Sequence, residues 1–182
     1  MNKDYWNGIA ENYESEIFSV LADDKENLVT KNIKNFGAKS KVAIDLGCGI
    51  GYFLPFLSKS FGKVHAVDFS EKCLQQARKN SENINGIDYW CEDMSSPKNL
   101  IPKADFILSI NSVISQSITV RSGIFKSIYK LLKTGSMCSV MSSRLISFAL
   151  SSCVISYILP PRDESKKSLP ELSRPSSIIS IF

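Results

Sequence analysis

An α/β fold is predicted for this chain of 182 residues: an open parallel sheet with helices on both faces. Short apolar runs alternate along the chain with longer segments whose apolar residues recur at helical spacing. The first run ends in three alternate glycines, which is typical of a tight turn between a buried strand and a helix. A later run, Ala104 to Ile110, is apolar enough to be a central parallel strand.

Length and composition indicate one globular domain with a substantial core. The net charge of +4 is mild and the lysines are scattered, so we expect no nucleic-acid partner. Five cysteines without a C-x-x-C pair favour reduced thiols, a cytoplasmic location and no metal site. The N-terminal residues lack the charged-then-apolar pattern of a secretion signal, so we expect no export. The longest uncharged run, Leu145 to Pro161, is short for a membrane span and favours a buried or half-buried helix.

Two helices are predicted before the first strand. The first opens at Tyr5, and its apolar residues at helical spacing are Trp6, Ile9, Tyr13 and Ile17. These aromatic residues either pack on the core or form a lid over a ligand, and the sequence favours neither. The second helix runs from Asp24 to Phe36 and stops at Gly37.

The first strand, Val42 to Ile44, leads through Asp45 into a turn with glycines at positions 47, 49 and 51. Glycine leaves room for a ligand against the backbone, and a helix from Tyr52 to Leu57 would turn its free N–H groups toward the anionic end of that ligand. Cys48 is interpreted as turn filler near the ligand and not as a nucleophile. A dinucleotide motif needs glycine where Tyr52 stands, and no phosphate-loop Gly-Lys follows. Asp45 would repel a pyrophosphate and attract an ammonium group.

Acidic residues also follow the next two predicted strands. The second predicted strand, Lys63 to Val67, is followed by Asp68, about 20 residues beyond the glycine turn. A carboxylate at this position can accept hydrogen bonds from ribose hydroxyls. Ser70 is a natural N-cap for a helix through Asn80. The third strand, Asp88 to Cys91, is followed by Glu92, Asp93 and Met94.

The fourth strand ends at Ile110, and the polar residues beyond it are candidates to contact a second substrate, because ligands bind past the carboxyl ends of parallel strands. These residues are Asn111, Ser112 and Gln116. A helix from Val120 to Lys133 with Gly135 as its stop, and a fifth strand from Ser136 to Met141, complete the pattern.

The motif from Asp45 to Gly51, D-x-G-x-G-x-G, together with the acids at positions 68 and 93, resembles class I S-adenosylmethionine-dependent methyltransferases, including small-molecule enzymes of quinone biosynthesis. The resemblance implies a Rossmann-like sheet and S-adenosylmethionine as cofactor. It implies that Asp93 binds the adenine amino group, that Met94 packs on the adenine ring and that Tyr13 lies near the methionine end. The full set of implied cofactor-binding residues is Tyr13, Asp45, Gly47, Cys48, Gly49, Gly51, Asp68, Phe69, Asp93, Met94 and Ile110.

The resemblance covers about residues 5 to 145, so we expect a cofactor-binding domain over residues 1–145 and a divergent, partly flexible segment over 146–182. Five parallel strands can be placed, and the last two of the family's seven are expected to be missing or divergent. Within the final segment, Pro160 to Pro175 is typical of a linker, and the last residues, 176–182, have strand character.

The leading functional hypothesis is methyl transfer to a small-molecule acceptor by in-line displacement. One alternative is a weak or inactive cofactor-binding module that acts with a partner. Another is a nicotinamide dehydrogenase, which the glycine spacing and Asp45 disfavour. No catalytic base is assigned: Tyr13 and His65 are the only candidates, and His65 is interpreted as a strand residue.

Overall fold

The computed structural model describes residues 3–13, 27–97, 101–113, 117–142, 153–158 and 180–181, the last two ranges and 141–142 as backbone only. Its helices are α1 (Lys3–Ile9), a 3₁₀ helix (Ala10–Asn12), α2 (Leu28–Phe36), α3 (Leu54–Ser60), α4 (Glu71–Asn80) and α5 (Ile118–Leu131). Its strands are β1 (Val42–Leu46), β2 (Lys63–Asp68), β3 (Ile87–Cys91), β4 (Ala104–Ile110), β5 (Leu132–Ser142), β6 (Cys153–Ile158) and β7 (Ser180–Ile181).

These strands form one sheet in the order β3-β2-β1-β4-β5-β6-β7. The five strands predicted from the sequence are present, and each pairs in parallel with its neighbours among them. Parallel pairing brings the carboxyl ends of β1, β2 and β4 to one edge of the sheet. The chain order reverses at β1 and β4, which is where open α/β sheets bind ligands.

Several helix boundaries differ from the prediction. Helix α2 begins at Leu28, because Asn27 before it has a left-handed backbone with φ 55°, and the predicted start at Asp24 lies outside the described residues. Helix α3 begins at Leu54, since the turn continues through Phe53. Helix α5 ends at Leu131, and Gly135 lies in an irregular stretch of β5 where the register with β4 shifts. The predicted N-cap Ser70 is confirmed, because its hydroxyl accepts from the N–H of Cys73 at 3.2 Å.

The C-terminal prediction is wrong in part. Residues 153–158 form a strand antiparallel to β5, so the helix predicted over Leu145 to Pro161 is wrong there. Strands six and seven, expected to be missing or divergent, are present in the sheet, and β7 has only two residues. The linker from Pro160 to Pro175 lies outside the described residues, and the domain boundary at residue 145 stays a prediction. No helix within the described ranges is long and apolar enough to cross a bilayer.

Two apolar layers cover the faces of the sheet. Helices α2, α3 and α4 pack on one face around Phe106, and α5 covers the other face around Ile107. The Phe106 side chain is fully buried, with its ring centroid 5.3 Å from that of Phe61 and 6.5 Å from that of Phe36. Strand β4 is therefore fixed from both sides, which sets the position of the loop that follows it.

We expect Phe106→Ala to lower the free energy of unfolding by about 3 to 5 kcal/mol, because the cavity would lie between two rings that cannot easily collapse. Phe125→Ala is the matched control, since the Phe125 side chain is 38% exposed on α5. Urea denaturation of both variants measures the difference. Equal losses of stability would contradict the central position of Phe106 in the core.

Candidate functional site

A cleft of about 330 Å³ opens at the carboxyl ends of β2 and β4. Its walls combine aromatic, apolar and polar groups from five separate segments of the chain. The lining residues are Trp6, Tyr13, Gly47, Asp68, Phe69, Met94, Ile110, Asn111 and Ser112. All of them except Trp6 were predicted as site residues, and Trp6 shares a helical face with Tyr13 in the sequence, which is the signal that could have found it.

The glycine turn forms the floor of the site. It is bonded to β2, because the N–H groups of Gly47 and Cys48 both donate to the carbonyl of Val67, at 2.7 and 3.0 Å. Gly49 has φ 53°, and a Cβ placed on it would lie 2.7 Å from the Tyr13 hydroxyl. The turn therefore needs glycine at this position both for its backbone angle and for the close approach of another residue.

The thiol of Cys48 is buried inside this turn and contacts the carbonyl of Gly49. Burial and the nearby carboxylate of Asp68 raise the pKa of the Cys48 thiol well above its usual range. A thiol that stays protonated is a poor nucleophile, which agrees with the interpretation of Cys48 as turn filler.

Asp45 is a buried acid in β1 just before the turn, with only 2% of its surface exposed. Its Oδ2 atom has no hydrogen-bond partner among the described residues. Burial, and secondarily the negative charge of Asp68, raises the pKa of the Asp45 carboxyl to about 7. Asp45 is not among the residues that line the cleft, so its unpartnered oxygen is buried next to the glycine turn, where a cationic donor that reached it would satisfy it.

Asp68 ends β2 and holds two other parts of the site together. Its Oδ2 atom accepts from the N–H of Gly49 at 2.9 Å, and its Oδ1 atom accepts from the N–H of Ser70 at 2.8 Å. Burial raises the pKa of Asp68, and the backbone donors oppose that rise. Since a carboxylate can accept about four hydrogen bonds, Asp68 retains capacity for a ligand in the cleft that it lines.

The third strand-end acid, Asp93, lies apart from the first two. Its side chain is exposed and accepts from the N–H and the hydroxyl of Ser95, at 2.8 and 2.7 Å, whereas its neighbour Met94 is buried against the cleft. Glu92 is the buried acid here, and its N–H donates to the carbonyl of Asp68. The structure therefore buries Asp45 and Asp68 and leaves Asp93 exposed next to the lining residue Met94, and the contact of Asp93 with adenine stays a prediction.

The loop after β4 closes the opposite wall. Asn111 has a left-handed backbone with φ 50°, unusual for a residue other than glycine. The Ser112 hydroxyl lies 2.5 Å from that of Ser109, and the Ser112 side chain covers the Cα of Gly47. Gln116, the third predicted substrate-contacting residue, lies outside the described residues.

The N-terminal segment forms the roof. The Trp6 and Tyr13 rings are 6.1 Å apart, with an angle of 38° between their planes. Burial and the charge of Asp68 raise the pKa of the Tyr13 phenol, which therefore stays protonated and can donate a hydrogen bond. The sequence left the choice between lid and plain packing open, and the structure places both rings on the cleft.

His65 does not reach the cleft. It lies buried in β2, where Nδ1 accepts from the indole N–H of Trp90 at 3.2 Å, and burial lowers the pKa of its imidazole. No group of three potential metal ligands occurs within the described parts of the chain.

The methyltransferase-domain family has a model that matches residues 43–135, just over half of the chain, from β1 to the start of β5. The chain belongs to the class I S-adenosylmethionine-dependent methyltransferases. The match covers the glycine turn and the ends of β2, β3 and β4, and lies wholly inside the segment for which the sequence suggested this family. The finer likeness to quinone-biosynthesis enzymes stays a prediction.

The curated relatives are similar to this chain over limited segments. Malonyl-[acyl-carrier protein] O-methyltransferase of Bacillus anthracis is 38% identical over 64 residues, which is 34% of this chain and 23% of that protein. The chain spans less than a quarter of the length of the curated relatives that it matches.

Solved structures share the fold. SMU.1697c of Streptococcus mutans, determined in complex with S-adenosylhomocysteine, is 25% identical with a TM-score of 0.54, over 64% of this chain and 70% of that one. The N-methyltransferase NodS of Bradyrhizobium japonicum, also in complex with S-adenosylhomocysteine, is 14% identical with a TM-score of 0.59, over 66% and 61% of the two chains. The Rossmann-like sheet predicted from the sequence is confirmed.

Asp45→Asn should remove part of the pH dependence of stability. The pKa of Asp45 is raised in the folded chain. The contribution of this group to the free energy of unfolding is therefore fully present below its unfolded pKa and is lost as the pH rises toward about 7. The wild-type protein should therefore lose up to about 1.4 kcal/mol of unfolding free energy per pH unit in this window. Urea denaturation at pH 5 and pH 8 checks this, and a variant as pH-dependent as the wild type would refute it.

Gly49→Val should abolish measurable binding of S-adenosylhomocysteine, because a branched side chain at φ 53° would strain the turn and contact Tyr13. Gly135→Val is the matched control: Gly135 also has positive φ, at 76°, but a Cβ there would contact nothing within 4 Å. Isothermal titration calorimetry measures the affinity of both folded variants for S-adenosylhomocysteine. The comparison separates the effect of backbone strain, which both variants have, from the effect of lost ligand space, which only Gly49→Val has. Unchanged affinity in Gly49→Val would show that the ligand does not approach this backbone.

Proposed function

We propose that this chain transfers the methyl group of S-adenosylmethionine to a small-molecule acceptor. The observation that carries the proposal is the buried pair of acids, Asp45 and Asp68, beside a glycine turn at the edge of the sheet. One of these acids has an unpartnered oxygen and the other has spare acceptor capacity. A ligand with both an ammonium group and neighbouring hydroxyls would satisfy the two together.

The residues around the acids suit the remaining parts of S-adenosylmethionine. Asp45 would accept from the ammonium of the methionine moiety, and Asp68 from the ribose hydroxyls. The protonated Tyr13 phenol would donate near the methionine end. Apolar contacts for the adenine and the chain would come from Phe69, Met94 and Ile110, which line the cleft.

When bound, S-adenosylmethionine supplies a methyl group activated by the positive charge on sulfur, which an acceptor displaces in line as sulfur leaves with the bonding electron pair. The protein has mainly to align the acceptor and exclude water, which can contribute several kcal/mol to lowering the barrier. Asn111 and Ser112 face the same cleft from the β4 side and are proposed to hold the acceptor, with Gln116. We assign no catalytic base.

The alternative of an inactive module rested on the expected loss of the last two strands. The pairing of β6 with β5 and of β7 with β6 removes that argument. A nicotinamide dehydrogenase does not agree with the family of the chain. A cytoplasmic location and the absence of a nucleic-acid partner are also part of the proposal. The free thiols among the described cysteines support the location, and the scattered positive charge supports the absence of a nucleic-acid partner.

A transfer assay tests the activity directly. Wild-type protein and Gly49→Val would be incubated with S-adenosylmethionine labelled in its methyl group and with separate pools of small amines, hydroxy compounds, carboxylic acids, total RNA and acyl-carrier protein. The proposal expects label in a small-molecule pool and none with Gly49→Val. Label in RNA or protein alone would refute the acceptor class, and failure of S-adenosylhomocysteine to bind would refute the proposed function.

Asp68→Ala should weaken binding of S-adenosylhomocysteine about 10- to 100-fold, since each charge-assisted hydrogen bond contributes about 1.5 to 3 kcal/mol. It should also lower the melting temperature, because the N–H groups of Gly49 and Ser70 lose their acceptor.

A ligand lacking the ribose 2′-hydroxyl separates the two effects. Wild-type protein should discriminate against 2′-deoxy-S-adenosylhomocysteine, whereas Asp68→Ala should bind both ligands almost equally in calorimetry. If the variant still discriminates as strongly as the wild type, Asp68 only braces the turn and the ribose assignment is wrong.

A further inference from the structure

The helix α1 is attached to the cofactor site by a hydrogen bond between residues distant in sequence. The Ser70 hydroxyl donates to Oδ1 of Asn7 at 2.7 Å, across 63 positions of the chain. Asn7 is half-buried in the middle of α1, and Ser70 is fully buried at the start of α4. The thiol of Cys73 adds a weaker contact to the carbonyl of Trp6, at 3.6 Å.

The hydroxyl of Ser70 has one proton, and that proton goes to Asn7. The oxygen of the same hydroxyl accepts from the N–H of Cys73, which caps α4. Without the Asn7 acceptor, a fully buried O–H group would lose its partner, and this is unfavourable in a low-dielectric interior. The bond therefore favours one seating of α1 on α4.

Further hydrogen bonds connect Ser70 to the cofactor site through backbone N–H groups. The N–H of Ser70 donates to Oδ1 of Asp68, and Oδ2 of Asp68 accepts from the N–H of Gly49. Three hydrogen bonds in series thus run from α1 to the glycine turn. Trp6 is adjacent to Asn7, and Tyr13 lies six positions beyond it with its ring against Gly49. Fixing Asn7 therefore restrains the segment that carries both aromatic rings of the roof.

We propose that Asn7 is a positioning residue that latches the N-terminal segment, residues 3–13, over bound cofactor through Ser70. This inference rests on the proposed function, because the cofactor must occupy the cleft beneath Trp6 and Tyr13. The latch slows release of the cofactor product without contacting it. Because Asn7 is joined to Ser70, two residues beyond Asp68, the roof closes on the part of the site that is proposed to bind ribose.

The variant Asn7→Ala tests the latch. Alanine has a higher helix propensity than asparagine, so faster release would not arise from a weaker α1. We expect S-adenosylhomocysteine to dissociate about five- to tenfold faster in a stopped-flow displacement experiment, with an association rate within about twofold of wild type. Gly8→Ala is the matched control, because Gly8 is exposed and a Cβ there meets nothing within 4 Å.

A double-mutant cycle identifies the bond itself. If Asn7 acts through Ser70, dissociation from Asn7→Ala/Ser70→Ala should be no faster than from Ser70→Ala alone. Fully additive effects would overturn the proposal. So would wild-type dissociation from Asn7→Ala, and in that case the proposed function would stand, since the wild-type protein still binds the ligand. If the wild-type protein does not bind S-adenosylhomocysteine, both proposals fail.

Hydrogen exchange without ligand gives a second measurement. Amides of residues 3–13 should exchange at least about tenfold faster in Asn7→Ala than in wild type or Gly8→Ala, while those of β1 and β4 remain unchanged. Equal protection in all three proteins would show that the bond to Ser70 does not hold the segment.

Discussion

The carboxylate of Asp68 is the constraint on which the site depends. Three elements meet at this group: β2 ends at it, the glycine turn after β1 donates to one oxygen, and the start of α4 donates to the other. Parallel pairing of β1 with β2 sets the distance between the two turns, since Asp45 lies opposite Ala66 and Leu46 opposite Val67. A short buried acid at the tip of β2 can therefore reach both backbone donors with its two oxygens.

Placing this group in the core has an electrostatic consequence. Burial raises the pKa of both Asp45 and Asp68, and the charge of Asp68 raises the pKa of Asp45 further. Backbone N–H groups compensate Asp68, whereas Oδ2 of Asp45 has no partner within the described residues. An unpartnered oxygen on a buried carboxylate lowers the stability of the fold, a cost that natural proteins tend to accept at functional sites. A cationic ligand would offset it by providing the missing partner.

The sequence predicted the parts of the structure that local pattern controls. Strand β4 has the predicted bounds, and Ser70 caps α4, because apolar runs and capping residues act within a few positions. The helix expected over Leu145 to Pro161 is a strand at residues 153–158. The polar and apolar residues there show no clear helical or strand period, so the pairing of this segment with β5 determines its conformation. The outward position of Asp93 follows from its bonds to Ser95, a turn contact that a motif match does not contain. The bond between Asn7 and Ser70 depends on the packing of α1 against α4, which no single segment encodes.

The two halves of the site are built under different constraints. The floor consists of backbone turns held by main-chain bonds, as at Gly47 and Cys48, so few side chains are free to change and the family motif is recognisable. The roof and the β4 wall consist of side chains on irregular segments, where Trp6, Tyr13 and Asn111 face the cleft. Asn111 occupies a left-handed conformation that asparagine tolerates better than most residues, and it follows a strand packed on both faces. Rigid support beneath Asn111 fixes the direction of this wall. Acceptor choice is therefore expected to reside in these walls and cofactor choice in the floor.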